Sequence, residues 1–161
     1  MKTIFDLPAH PLFVHVPVVL LPLLAIVTIL AAARPGIARR LGIWLPVASL
    51  FVFVSILLAM NTGEALDKAQ NLGNVKKHES LAETTRLLAF VLLIATAATW
   101  WVNRRRVAAG AKAESLADRQ RPIAIGVAAV TVVFAVLSAV WVIRTGHEGA
   151  RVHWSGVLQD K

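Results

Sequence analysis

Four long apolar runs, at 12–33, 43–62, 81–102 and 122–145, alternate with three polar connections along the chain. Each run supplies close to the roughly 20 residues that a helix needs to cross a bilayer. None shows the strict apolar–polar alternation of a barrel strand. In hydrocarbon a helix meets its own backbone hydrogen-bonding needs, so helices are the structure these runs predict. The expected fold is all-α: a polytopic membrane protein forming one antiparallel bundle of four transmembrane helices over residues 1–161. The first run, with "AAA" at its end, has about 22 apolar residues, against 7–15 in a signal-peptide core, and its basic flank follows it; it reads as a permanent span. Pro17 and Pro22 inside it predict a kinked helix.

Composition agrees with this pattern. The 161 residues are 57% hydrophobic, mean hydropathy is +0.68, and there is no cysteine. Zinc–thiolate sites, iron–sulfur ligation, disulfides and covalent c-type haem are thereby excluded. The net charge of +8 suggests nucleic acid only until it is mapped. Three basic residues lie in "ARPGIARR" and six in "NRRRVAAGAKAESLADRQRP", the first and third connections. So placed, they predict that both connections are cytoplasmic and that both termini are on the opposite, periplasmic side. No nucleic acid partner is expected; the bilayer is. Trp44, Trp100 and Trp101 fall near the inner interface and Trp141 near the outer one, as interfacial belts require.

Charge and chemistry then separate. His10, His15, His78, His147 and His153 all map to the outer end of the expected bundle, together with Glu64, Asp67, Glu79, Glu83 and Glu148. Ionisable residues at such depth mark sites. His10 precedes Arg34 by 24 residues, His78 precedes Asn103 by 25, and His147 follows Pro122 by 25. At 1.5 Å per residue these three share one level, about 37 Å from the inner ends, with His15 about 7 Å deeper beside Arg86. A short repeat accompanies them: "NTGEA" (Asn61–Ala65) closes the second run and "RTGHEGA" (Arg144–Ala150) the fourth. Each follows a hairpin opened by a histidine, so His15 and His78 are expected to be equivalent across the bundle axis.

At these residues the chain resembles a family of bacterial membrane proteins known as a domain of unknown function. The shared features are His10-Pro11, Val14-His15-Val16-Pro17, Thr62-Gly63-Glu64-Ala65, His78-Glu79 and Thr145-Gly146-His147-Glu148-Gly149, which span nearly the whole chain. The resemblance implies a bacterial inner membrane. Relatives often carry an aromatic residue and "HG" after the last motif; here Trp154 is followed by Ser155-Gly156. Some relatives are fused to Rieske or cytochrome domains, which points by association to redox work.

Three functional readings follow. In the first, the bundle binds haem b without covalent attachment and passes electrons to a quinone or a periplasmic carrier. His15 and His78 are then the axial pair, with His147 or His10 as substitutes, Arg144 near a propionate, and Gly63, Gly146 and Gly149 leaving space for the macrocycle. In the second, His10, His78 and His147, with Glu79, hold copper, zinc or iron. In the third, the polar outer layer packs against another protein or a second copy of the chain. Glu64 and Arg86 are expected to support the histidine site. No hydrolase or transferase motif is present, and the "HE" pairs lack a second histidine four residues on. Any enzyme activity would be redox. No polar path through the lower half of the bundle is visible, which argues against transport.

Overall fold

The computed structural model describes residues 3–4, 7–70, 75–108 and 114–159, with side-chain surroundings for 10–68, 75–105, 121–152 and 154. Among these residues it shows five helices: α1 (Ala9–Ala33), α2 (Pro35–Leu41), α3 (Trp44–Gln70), α4 (Lys76–Ala108) and α5 (Glu114–Gln159). Before α1, β1 (Thr3–Ile4) pairs antiparallel with β2 (Leu7–Pro8), a two-residue feature that the apolar pattern does not predict. Among the described residues four helices are long and apolar enough to cross a membrane: α1, α3, α4 and α5. They form an antiparallel four-helix bundle in which α1 packs on α3 and α5, and α4 packs on the same two. Helices α1 and α4 thus stand on one diagonal and α3 and α5 on the other.

The interior combines large aliphatic side chains such as Leu21, Val52, Ile56 and Leu92 with small and hydroxylated residues. Ala25, Ala89, Ala95 and Ala135 are buried beside Thr28, Ser49, Thr96, Thr131 and Ser138. Large apolar side chains such as Leu23, Phe51, Leu87 and Val133 point outward. Against lipid, burying a large apolar side chain gains little, whereas small residues let the backbones approach and hydroxyls bond across helices. Thr96 Oγ1 donates to Ser49 Oγ at 3.0 Å between α4 and α3. Between α4 and α5, Thr99 and Thr131 share a bond at 3.0 Å, and Thr85 and Thr145 one at 2.9 Å.

One end of the bundle carries arginine. There Pro35 opens the short α2, and Gly42 closes it at φ +49, a left-handed conformation suited to glycine. Arg104 lies over the Trp100 ring at 5.5 Å and Arg105 over Trp101 at 4.7 Å. Near the other end Arg144 lies over Trp141 at 4.9 Å. Each stack places an indole and a charge one helical turn apart, as helix ends at a lipid–water boundary favour.

The helices outrun their apolar cores. The third span begins at Lys76 rather than 81, and α3 continues past the expected end at 62 to Gln70. Helix α5 passes straight through Gly146 and Gly149 and ends at Gln159 instead of near 145. A glycine costs a helix interior only about 1 kcal/mol. Here packing offsets it: Gly146 faces the Val18 side chain, and Gly149 faces the His78 ring. At 46 residues α5 is about 69 Å long, well beyond the 40–45 Å of a bilayer with its headgroups.

Candidate functional site

The antiparallel order brings the start of α1, the end of α3, the start of α4 and the far part of α5 to the same end of the bundle. His10, on the first turn of α1, and His78, on the first turn of α4, reach across the diagonal toward each other. Both are half-buried. Their ring centroids are 6.4 Å apart and their planes stand at 81°.

The two rings are anchored in the same way. His10 Nδ1 lies 3.0 Å from the carbonyl oxygen of Ala59 on α3, and His78 Nδ1 lies 3.1 Å from that of Thr145 on α5. A carbonyl can only accept, so Nδ1 carries the proton in each ring. In a neutral imidazole that leaves Nε2 as a bare lone pair. Four residues beyond each carbonyl stands a glycine against which the ring packs. A Cβ on Gly63 would come within 2.9 Å of His10 Cε1, and one on Gly149 within 3.0 Å of His78 Cε1. Each half-site is therefore a diagonal histidine, a neighbouring-helix carbonyl at i and a glycine at i+4.

This arrangement corrects the expected pairing. The equivalent of His78 is His10 and not His15, which is exposed and bonded through Nδ1 to the Pro11 carbonyl of its own helix. Aligning the two "TG" pairs is also out of step: Gly63 corresponds to Gly149, while Gly146 contacts Val18 on α1. The space at Gly63 and Gly149 is filled by the imidazoles of His10 and His78. His147 is exposed, as is Glu79, so the expected His10–His78–His147 trio does not assemble. Among the described residues no group of three or more histidines and carboxylates could hold a metal ion. Arg144 is exposed on its tryptophan, Arg86 is exposed, and Glu64 is paired on the surface with Lys68. The His153 side chain lies outside the described residues.

The structure adds residues that the sequence did not single out. Ala59 and Thr145 supply the anchoring carbonyls, and Thr62 Oγ1 stands 3.5 Å from His10 Nδ1. Thr85 braces Thr145 one layer below His78. Lys77 Nζ reaches Glu148 Oε2 at 3.0 Å, tying α4 to α5 at the rim. An apolar groove between α4 and α5, lined by Val91, Ile94, Ala95, Ala98, Val127 and Val130, lies in the other half of the bundle, away from the histidines.

A family model described as predicted membrane protein, DUF2231, matches residues 6–161. The chain belongs to the DUF2231 family. Its match takes in all four spans, both half-sites and the loops between them. No curated protein and no solved structure matches the chain. This DUF2231 protein is thus a membrane protein with four candidate spans, and its chemistry has to be read from its own residues.

Proposed function

We propose that this DUF2231 protein binds a transition-metal ion between His10 and His78, through the Nε2 atom of each. The carrying observation is the paired anchoring: both Nδ1 atoms donate to backbone carbonyls, which leaves an unprotonated Nε2 on each of two neighbouring rings. Metal-binding histidines are oriented in this manner, the outer hydrogen bond fixing both tautomer and ring. Two imidazoles sharing one ion in a line, with metal–nitrogen bonds of 2.0–2.1 Å, have centroids about 6 Å apart. The observed 6.4 Å is of that size. Imidazole without thiolate suits copper, zinc, iron or nickel, and water would complete the shell.

The same two nitrogens suit haem iron. A bare ion needs only the gap between the rings, however, whereas a macrocycle needs a slot through helices that already pack together, with its edges past Gly63 and Gly149. The bare ion is the reading that the packing favours. The arginines of the first connection and the Arg104–Arg105 pair favour a cytoplasmic arginine end, which puts the metal at the periplasmic surface of an inner membrane. A redox-active ion there would be open to a quinone or a periplasmic carrier.

Metal analysis and an absorption spectrum of the purified protein test this reading. About one equivalent of copper, zinc, iron or nickel per chain, with no Soret band, is expected. A Soret band that sharpens on reduction would replace the bare ion with haem, and a colourless, metal-free protein that takes up no added ion would overturn both. A reporter fused between α4 and α5 checks the orientation: it should be active only if it is one that works in the cytoplasm.

A further inference from the structure

Among the described residues six buried hydroxyls, those of Ser49, Ser55, Thr85, Thr96, Thr131 and Thr145, each lie within hydrogen-bonding distance of a carbonyl three or four residues back in their own helix. Two others do not. Thr28 Oγ1 and Ser138 Oγ have no hydrogen-bond partner, although the residues are 1% and 0% exposed. A hydroxyl left unmade in an apolar interior is expensive, and its own helix offers an easy bond at the i−4 carbonyl. Both side chains forgo that bond, on adjacent helices.

Register places them at nearly the same height in the bundle. Gly146 of α5 meets Val18 of α1, with 3.6 Å from an added Cβ to the valine methyl, which sets the two antiparallel helices side by side. Thr28 is ten residues from Val18 toward the arginine end, about 15 Å, and Ser138 is eight from Gly146 in the same direction, about 12 Å. Their heights differ by roughly 3 Å. Both side chains are fully buried, on two helices that pack against each other.

The pattern along α5 explains why Ser138 lacks a protein partner. Thr131, Ser138 and Thr145 recur every seven residues on one face, and Thr99, Leu92 and Thr85 answer them on α4. The outer two layers close as threonine pairs at 3.0 and 2.9 Å. In the middle layer α4 presents Leu92, buried and without a polar atom.

We infer that Thr28 and Ser138 bind one water molecule between α1 and α5 at mid-depth. The water accepts from both hydroxyls, and its own protons go to the second lone pairs of nearby helix carbonyls, for which Leu24 and Phe134 stand one turn back. The site is independent of the metal reading.

Two variants and their combination, in the full-length protein, test it. Thr28→Val and Ser138→Ala should each lower the melting temperature, by roughly 2–4 °C, because each removes one arm of the water and leaves the other hydroxyl unmet. The double variant, with no polar group left, should melt no lower than the worse single variant. Water-edited solid-state NMR of the protein in bilayers should show transfer from water to the Thr28 side chain that Ser138→Ala abolishes. A rise in melting temperature with either apolar replacement would mean that the hydroxyls are truly unsatisfied, and additive losses would mean that they share nothing; both overturn the inference. So would coupling without water transfer, which would indicate a direct bond between the hydroxyls.

Discussion

The His10 and His78 half-sites present their rings alike but stand on unlike ground. Under His78, Thr145 receives the Nδ1 proton at its carbonyl and bonds Thr85 through its hydroxyl, while Lys77 and Glu148 tie the same two helices at the rim. The α4–α5 contact is also the most extensive in the bundle. Under His10, the brace is Thr62, which shares the Ala59 carbonyl with the imidazole, and α1 descends from there through Pro17 and Pro22. The common part of the two halves is only a carbonyl and a glycine one turn apart. That is enough to fix a tautomer and a ring position, and the rest of each half is free to differ.

The largest effect should come from attacking the common part. Gly63→Ala and Gly149→Ala each drive a methyl to about 3 Å from a ring carbon, so the imidazole must shift from its anchored position. Metal affinity should fall by about 10–100-fold in either, the range for a lost orienting contact, as isothermal titration would record. Gly146→Ala, whose methyl meets Val18 at an ordinary 3.6 Å, should bind as the parent does. Equal losses in all three would deny that the glycines act through the rings.

Attacking the unlike part should do less and on one side only. Thr85→Val removes the hydroxyl brace beneath His78 and should cost about 0.6–1.5 kcal/mol in a reversible unfolding assay. It leaves Ala59 and Thr62 untouched, so the His78 ring resonance should shift more than that of His10. Smaller still, Gly126→Ala meets nothing within 4 Å and should stabilise α5 by about 0.5–1 kcal/mol, with no effect on either ring. Smallest is Glu148→Gln: its partner Lys77 is 65% exposed, and the melting temperature should move by less than about 2 °C.

The bundle was legible because hydrophobic length and loop charge are properties of single segments. The four runs locate all four spans, although their ends fall short by up to 14 residues at Gln159, where polar residues prolong a helix that packing has already nucleated. The level of the site was legible too: counting residues from the far helix ends puts His10 beside His78. What failed was rotation about each helix. His10 and His15 are five residues apart, so their side chains leave α1 about 140° apart, and only contacts with α3 decide which one faces inward. The same holds for the glycines. "TG" recurs as letters, but a glycine matters by the ring that meets it, which pairs Gly63 with Gly149. The hydroxyls at 131, 138 and 145 were in plain view; their seven-residue spacing gains meaning only beside 85, 92 and 99 on the neighbouring helix.

The central claim is that two diagonal histidines, His10 and His78, hold one metal ion. Single alanine variants of His10, His15, His78 and His147, each purified and assayed for bound metal per chain, test it most directly. Retention of about one equivalent in His15→Ala and His147→Ala, with near-complete loss in His10→Ala and in His78→Ala, is the expected result. Metal retained in His10→Ala or His78→Ala, or lost on removing the exposed His15, would contradict the account.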